Sequence, residues 1–293
     1  MKRPLVSIGM SLFNCEKTLD LTIASILTQC YGDWELIAID DGSKDRTLSL
    51  LESLRDNRVR VIADGNNLGL PARLNQAVSL ARGKYFARMD GDDVMYPDRL
   101  EKQVAYLETH PEVDLLGGGM VVFRGDGIAY GCRMVAAEHD RICSHPWSGF
   151  EMAHPTWMGR TEWFRQNPYR EDAYRMEDKD LLFRTCQKSR FANLPDVVLG
   201  YREDDLSFWK ILPARRNFCK VLMASAGRQL TYINAARGIA GQAVRTIADV
   251  VAITTGLNEK ILRHRARPVP PEIRMRWDAI WQEVNSSCFV ASV

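Results

Sequence analysis

The sequence lacks the features that mark several common classes of protein. Its 293 residues carry a formal net charge of only +2, so the broad basic field of a nucleic-acid-binding protein is missing and we expect no nucleic-acid partner. It has no apolar run long enough to span a bilayer. Its first residues, Met-Lys-Arg-Pro-Leu-Val, lead at once into a strand-like run, which predicts that they are not a signal peptide.

The cysteines lack the spacing of a disulfide framework or a zinc site. There are seven, an odd number, and no two form a Cys-x-x-Cys pair. Several fall in apolar runs, where a free cysteine behaves as a small hydrophobic residue. This usage is typical of a reducing compartment, so we expect a cytoplasmic protein.

Strand-like and helix-like patterns alternate along the first hundred residues. Apolar β-prone runs predict strands at 5–10, 35–40, 59–63 and 84–88, and apolar residues at helical spacing predict helices at 19–30, 47–55 and 70–81. Ser43 is the predicted cap of the second helix. This order is typical of βαβ units, so we expect an α/β fold with a mostly parallel sheet flanked by helices.

The pattern becomes less regular beyond residue 97. It predicts a helix at 98–109, a strand at 113–119, a hairpin that joins 121–123 to 128–130, an irregular span at 136–148 and a last strand at 197–201. From Pro213 onward only helical patterns with many arginines remain. A helix at 233–256 is too polar to span a membrane, and another is expected at 274–284.

Polar side chains follow the predicted strands at the point where each strand ends. Ser11 and Phe13 follow the first strand, Asp40 and Asp41 the second, and Asp90 the fourth. In a parallel sheet these ends lie at one edge, which is where ligands bind in such folds. We therefore expect these side chains to converge.

Three carboxylates, Asp90, Asp92 and Asp93, surround Gly91 at the end of the fourth strand. Their mutual repulsion is costly unless a cation neutralises it. A hard divalent ion such as Mn²⁺ or Mg²⁺ prefers oxygen ligands of this kind. The alternative is an acidic surface turn in which Asp98 opens the next helix.

A second acidic pair, Glu177 and Asp178, lies at the start of a predicted amphipathic helix that includes Asp180, Leu181 and Arg184. Carboxylates are favoured at this position by the helix dipole. The pair is either ordinary helix capping or a site that can accept a proton.

The motifs occur in an order that resembles a known family. They are Val6-Ser-Ile-Gly-Met-Ser-Leu-Phe-Asn14, Asp40-Asp41-Gly-Ser-x-Asp-x-Thr47, Asn66-Asn-x-Gly69 with Ala72-Arg73-Leu-Asn75, Asp90-Gly-Asp-Asp93 and Glu177-Asp178. Over residues 5–205 the sequence resembles the family 2 glycosyltransferases. The resemblance implies a GT-A fold, Rossmann-like, over residues 1–210, with a helical C-terminal extension over 211–293. This extension would face a membrane or a partner, or pack as a helix hairpin on the main domain.

The resemblance also implies a role for each motif in binding a nucleotide sugar. The segment from Ser11 to Phe13 would line the base pocket. Asp41 would hydrogen-bond the base with Asp40 beside it, and Arg73 would reach the base or the phosphates. Asp90 would face the ribose or the donor sugar.

The remaining motif residues would serve the metal and the proton transfer. Asp92, with Asp90, would hold a divalent cation, Mn²⁺ or Mg²⁺, that bridges the diphosphate. Asp178 would be the general base, with Glu177 as its substitute. His154, in a His-Pro-Thr-Trp segment, is either a contact to the acceptor or diphosphate, or a structural histidine.

The reaction implied is transfer of a sugar, with inversion, from a nucleoside diphosphate donor to a hydroxyl of a glycan or lipid-linked acceptor in cell-surface polysaccharide biosynthesis. UDP is the expected nucleotide by analogy, and the expected place is the cytoplasm or the inner face of the cell membrane. A nucleotidyltransferase is one alternative, although residues 11–17 lack the glycine-rich basic loop that it needs. The other is a non-catalytic sugar-nucleotide-binding module, against which Asp92 and Asp178 argue.

The sequence departs from the family at one place. Members often carry a histidine shortly after a Tyr-Arg pair, whereas here Tyr201-Arg202 is followed by Glu203-Asp204-Asp205. Either Asp204 or Asp205 replaces it in binding the metal or the diphosphate, or the loop closes differently.

Overall fold

The computed structural model describes residues 5–203, 208–255 and 267–287. Its strands are β1 (Val6–Leu12), β2 (Trp34–Asp40), β3 (Val59–Ala63), β4 (Tyr85–Met89), β5 (Val94–Met95), β6 (Leu115–Phe123), β7 (Ala129–Arg133), β8 (Met158–Arg160) and β9 (Phe191–Arg202). Its helices are α1 (Leu19–Leu27), α2 (Thr47–Ser53), α3 (Leu70–Leu80), α4 (Arg99–Thr109), α5 (His139–Ile142), α6 (Thr161–Gln166), α7 (Glu177–Thr185), α8 (Phe208–Ser225), α9 (Tyr232–Thr255) and α10 (Pro271–Ser286).

One nine-stranded sheet organises these elements, in the order β3-β2-β1-β4-β8-β6-β9-β5, with β7 paired to β6. The first four strands in this order are parallel, as predicted. The short β8 is antiparallel to both β4 and β6, while β6 and β9 are parallel. The α/β prediction is therefore confirmed, and the parallel character is strongest in the half that carries the first strand-end motifs.

The sheet is buried on both faces, which explains the continuous apolar runs in its strands. On one face Ile8 and Met10 of β1 pack with residues of α1 and α4, such as Ile23 and Leu100. On the other face the ring of Phe86 lies over β1 at Gly9, where a Cβ would come within 2.2 Å of the ring. Any larger residue at position 9 would displace that ring from the core.

Three local predictions are corrected. Ser43 does not cap α2: its Oγ accepts the amide of Asn14, and the Asp45 carboxylate instead accepts the amide of Thr47 at 3.0 Å. The predicted strand at 113–119 and the first arm of the hairpin form one continuous strand, β6. The span at 136–148 contains the short helix α5.

The C-terminal helices pack in two places. Phe218 and Leu222 of α8 pack with Met176, the residue before α7, and with Phe183 of α7. Helix α9 packs along α8. The last helix, α10, lies on the sheet, where Trp277 is fully buried and its indole N–H donates to the carbonyl of Gly127 at 2.8 Å. The division at residue 210 stays a prediction, and α10 is part of the packing of the sheet.

No helix in the described ranges is long and apolar enough to cross a membrane.

Candidate active site

The carboxyl ends of β2, β1 and β4 lie side by side, since these three neighbouring strands are parallel. The loop after β1 and the loop after β2 are tied together there. The amide of Cys15 donates to Thr47 Oγ1 at 2.7 Å, and the Asn14 side chain accepts the amide of Lys44 at 2.9 Å. Asn14 has a φ of +54°, a left-handed conformation that asparagine tolerates better than most residues. These contacts make one polar edge from segments that are distant in sequence.

Arg73 and Asp41 form the centre of a buried network at this edge, which we call the Asp41–Arg73 network. The guanidinium donates to Asp41 at 2.8 Å and to both oxygens of Asp64 at 2.7 and 2.8 Å. Its other two N–H groups go to Gln76 and to the carbonyl of Asn66. All five donors of the arginine are therefore used within the protein.

The same network orients the carboxylate of Asp41. One oxygen also accepts the amide of Leu68 at 2.7 Å, and the other accepts the amide of Gly69 at 3.0 Å. Gly69 has a φ of +85°, which lets the chain turn so that both amides point at Asp41. The carboxylate is thus held by its neighbours before any ligand arrives.

Two other side chains of this region are less engaged. Asp40 accepts the amide of Ser43 through Oδ2, while its buried Oδ1 has no hydrogen-bond partner in the described part of the chain. The ring of Phe13 is 48% exposed, and Ser11 is partly buried. An aromatic ring can stack on a base, and a carboxylate oxygen without a partner can accept the N–H groups of that base.

The second part of the edge holds the three carboxylates of Asp90, Asp92 and Asp93. One oxygen from each lies within 4.8 Å of the others. Asp92 is exposed, Asp93 is buried, and Asp93 Oδ2 has no hydrogen-bond partner among the residues described. Although the side chain of Asp92 reaches solvent, partial desolvation of its carboxyl group, then the charge of Asp90, raises its pKa to about 6. Burial, then the charge of Asp90, raises the pKa of Asp93 well above its usual value.

This carboxylate cluster has the donor chemistry of a divalent-cation site. Closely spaced carboxylates with raised pKa values and an unsatisfied oxygen favour a bound cation. Oxygen donors of this type fit Mn²⁺ or Mg²⁺. Asp98 is the N-cap residue of α4, as the alternative of an acidic turn predicts, but that alternative leaves the buried Oδ2 of Asp93 without a partner among the described residues.

Arg88 is a candidate site residue that the sequence did not predict. It lies in β4, its side chain is 4% exposed, and its Nη2 is 2.5 Å from Asp90 Oδ1. Its Nε and Nη1 are buried with no hydrogen-bond partner in the described ranges. An arginine inside an apolar strand, two residues before a carboxylate cluster, was the available signal.

Glu177 and Asp178 form the first turn of α7, near the same arginine. The N-cap residue is Met176, which makes no capping hydrogen bond, and backbone amides at the helix start act on the carboxyl of Glu177, so a capping role for this residue stays open beside the proton-accepting one. Burial, then the charge of Asp178, raises the pKa of Glu177 to about 7, and Arg88 opposes this shift. Asp178 is more exposed than Glu177.

His154 is buried beside Arg88 and bonded within the protein. Its Nε2 lies 3.0 Å from the hydroxyl of Tyr169, and its ring packs edge-on against Trp157. Burial, then the charge of Arg88, holds its pKa well below the usual value, so the ring is neutral at physiological pH. Tyr169 is fixed in turn by Asn75, which bonds its amide and its carbonyl at 2.9 Å.

Comparison with known proteins now identifies the family. Residues 7–186 match the family model described as glycosyl transferase family 2. The chain belongs to this family. Over 212 residues it is 39% identical to the putative glycosyltransferase EpsE of Bacillus subtilis, covering 70% of this chain and 75% of that protein. It is 31% identical over 208 residues to the O-antigen biosynthesis glycosyltransferase WbnJ of Escherichia coli, covering 68% and 79%.

Solved structures support the fold of this family 2 glycosyltransferase. The S. aureus TarS fragment 1–349, in complex with UDP-GlcNAc, aligns with a TM-score of 0.64 at 17% identity, covering 97% of this chain and 81% of that one. The resemblance read from the motifs is thus confirmed for the family and for the GT-A fold. The chain is a glycosyltransferase of a family that takes sugars from nucleotide donors.

Arg202 and Glu203, the last described residues before the place where the family often has a histidine, are hydrogen-bonded within the protein. The amide of Arg202 donates to Asp93 Oδ1, and Arg202 Nε donates to the carbonyl of Asp92, both at 2.9 Å. Glu203 accepts from Tyr130 and Arg133 at 2.8 Å each. Asp204 and Asp205, the predicted substitutes, lie outside the described residues.

Proposed function

We propose that this family 2 glycosyltransferase catalyses a single inverting displacement that depends on a divalent cation. The proposal rests on one observation: Arg88 interacts both with the carboxylate cluster and with the acidic pair at the start of α7. Asp90, in the carboxylate cluster, pairs with this arginine, and the charge of Arg88 also acts on Glu177 at the start of α7. A leaving diphosphate needs a cation on one side, and an attacking hydroxyl needs a base on the other.

The donor would bind along the ends of β1 and β2. Phe13 and Ser11 would line the base pocket, and Asp41 would accept from the base with Asp40 beside it. All five Arg73 donors are used internally, so we assign Arg73 the task of holding Asp41 in place instead of contacting the nucleotide. UDP is the first candidate, in line with the bound nucleotide sugar named for TarS.

The diphosphate would lie at the carboxylate cluster. Asp92 and Asp90 would hold the cation, which when bound neutralises the charge that develops on the leaving nucleoside diphosphate. Arg88 would hold the carboxylate of Asp90 in position through the contact of 2.5 Å.

Asp178 would take the proton from the acceptor hydroxyl. The pKa of Glu177 is raised to about 7, so near neutral pH a large fraction of that carboxyl holds a proton and cannot accept another. Asp178 is more exposed, which leaves it accessible to an incoming hydroxyl. Because the displacement is a single step, one base suffices, as in other inverting sugar reactions.

The acceptor would be a hydroxyl of a glycan or a lipid-linked glycan in cell-surface polysaccharide biosynthesis. The name of WbnJ, an O-antigen biosynthesis glycosyltransferase, supports this class. Such acceptors lie at the inner face of the cell membrane, where the protein would act as a peripheral protein. His154, fully engaged with Tyr169, would shape the acceptor side without touching the substrate.

The test is hydrolysis and binding across UDP- and GDP-sugars with Mn²⁺, Mg²⁺ or EDTA, for the wild type and Asp92→Asn. We expect metal-dependent release of one nucleoside diphosphate and a loss of at least about 100-fold in the variant, the range for removing a charged group that stabilises a transition state. Asp126→Asn, in the turn between β6 and β7, is the matched control and should behave as wild type.

The alternatives predict different results. Binding without any turnover, even with membrane extract as a source of acceptor, would identify a sugar-nucleotide-binding module. Release of pyrophosphate from a nucleoside triphosphate in the presence of a sugar phosphate would identify a nucleotidyltransferase.

A further inference from the structure

The exposed side of α8 and α9 is apolar over an unusual length. On α9 the side chains of Ile233, Val244, Ile247 and Val251 are 66%, 66%, 65% and 49% exposed. Their spacing of three, four and eleven residues places them on one face of a helix that is about 36 Å long. Several exposed apolar side chains on one face of a helix are typical of an interaction site, whereas single exposed apolar residues are not.

The described residues from 208 to 255 are basic and include no exposed carboxylate. Exposed cations lie on α8 at Arg216 and Lys220, in the turn before α9 at Arg228, and on α9 at Arg237 and Arg245, of which Arg245 also donates to the carbonyl of Ser148 at 3.2 Å. The only acidic residue between positions 208 and 255 is Asp249, which is 2% exposed and paired with Arg215. We call this surface, with Leu212 and Met223 of α8, the α8–α9 face.

The α8–α9 face is attached to the segment that carries the proposed base. Phe218 and Leu222 pack against Met176, the residue before α7. The side chain of Asn217 donates to the carbonyl of Tyr174 at 2.9 Å. Whatever holds the α8–α9 face is therefore held close to Asp178.

We propose that the α8–α9 face docks on a membrane surface of anionic phospholipid. An amphipathic helix with bulky aliphatic residues on one side and arginine or lysine around them lies in the headgroup region, where both parts are satisfied. Arginine and lysine stems can reach from the apolar layer to the phosphates. A second copy of the chain fits less well, because two faces with five cations each and no exposed carboxylate repel one another.

The docking explains how a soluble donor and a membrane-bound acceptor meet. The protein would present the first turn of α7 near the headgroup layer, within reach of a sugar on a lipid-linked acceptor. This second step rests on the proposed function, whereas the docking itself does not.

The experiment is flotation of the full-length protein with vesicles of phosphatidylcholine alone or with a quarter of phosphatidylglycerol. We expect binding to the anionic vesicles, at least tenfold weaker binding to neutral ones, and release in high salt. Val244→Asp with Ile247→Asp should weaken binding about tenfold or more. Arg216→Ala and Arg237→Ala should each weaken it about fivefold, from about 1 kcal/mol per cation.

The matched control is Met275→Asp, which changes a side chain that is 73% exposed on α10 and should leave binding unchanged. Circular dichroism checks that each variant is folded. Nucleotide-sugar hydrolysis without vesicles should equal the wild type in every variant, so a failure of the proposed enzyme activity would be visible separately.

Three results would overturn the proposal. One is equal binding to neutral and anionic vesicles, and another is equal binding by the wild type and the Asp double variant. The third is a dimer in light scattering that the double variant disrupts, without any vesicle binding, because a second copy would then cover the face.

Discussion

The Asp41–Arg73 network and the carboxylate cluster lie at the same edge of the sheet, but charges are compensated by partners in the first and left partly uncompensated in the second. In the network, every donor of Arg73 meets an acceptor and Asp41 receives three hydrogen bonds. In the cluster, three carboxylates face one another, and Asp93 Oδ2 and two nitrogens of Arg88 have no hydrogen-bond partner among the described residues. The first arrangement is complete without a ligand, whereas the second leaves an acceptor oxygen and two donor nitrogens without partners in the described part of the chain.

From this difference we expect substitutions in the network to lower the stability of the fold and substitutions in the cluster to lower the activity. A buried ion pair that loses one partner destabilises the fold, because the other charge stays buried and uncompensated. A cluster with surplus negative charge is itself a cost to the fold and is kept for binding or chemistry. Four experiments can break or sharpen this contrast.

The largest effect is expected from Asp178→Asn, which removes the proposed base. We expect the turnover rate to fall about 10³-fold with little change in the Kd of the donor, since a general base acts on the acceptor in the transition state. The measurement is steady-state transfer together with calorimetric donor binding. Asp172→Asn, an exposed carboxyl on the loop before α7, is the control. Equal activity of Asp178→Asn and this control would assign the base to another group.

Arg73→Met should mainly affect stability. Removing the guanidinium leaves the buried Asp41 without its cation, which we expect to cost about 3–5 kcal/mol in the free energy of unfolding. The control is Arg170→Met, which breaks an exposed pair with Asp172 and a longer contact of 3.9 Å with Asp180, whose carboxylate keeps its pair with Arg184. It should cost less than about 1 kcal/mol. Urea denaturation measures both. Equal stability of the two variants would show that the Asp41–Arg73 network does not stabilise the fold more than an exposed ion pair does.

Glu177→Gln should change how stability depends on pH. The folded pKa of about 7 lies above the usual 4.5, so the unfolded state loses this proton first as the pH rises. The wild type therefore loses stability between about pH 4.5 and pH 7, by up to about 3 kcal/mol, and the loss is complete above that range. The variant lacks this loss and should be the more stable protein at pH 8.

The comparison needs urea denaturation of both proteins at pH 4.5 and pH 8, with EDTA present. Glu162→Gln, whose side chain is 66% exposed, is the control and should track the wild type at both values. A difference between Glu177→Gln and the wild type that did not grow from pH 4.5 to pH 8 would contradict the raised pKa.

The smallest effect is expected from Phe13→Ala. A ring that stacks on a base contributes about 1–3 kcal/mol, and a ring that is 48% exposed before binding should give the lower figure. We expect the Kd of the nucleoside diphosphate to rise about fivefold, measured by calorimetry. Ile128→Ala, an exposed apolar residue in the hairpin turn, should leave the Kd unchanged. An unchanged Kd for Phe13→Ala would remove the ring from the base pocket.

Much of the fold could be predicted because it depends on local patterns. The strand at 59–63 was predicted with its observed bounds, and the helix at 70–81 to within one residue, because apolar periodicity is written in neighbouring residues. The placement of β8 between β4 and β6 was not predicted. A three-residue strand has too little pattern to reveal a pairing with two strands that lie far earlier in the chain, Tyr85–Met89 and Leu115–Phe123.

The candidate site divides in the same way. The sequence by itself determined the order of the motifs and their convergence, because parallel strands bring their carboxyl ends to one edge. Only the tertiary structure decided what each side chain can do there. Arg73 is withdrawn into a closed network, Arg88 is left with open donors, and Glu177 is pushed towards its neutral form. Burial and neighbouring charge set these properties, and both are supplied by segments that are distant along the chain.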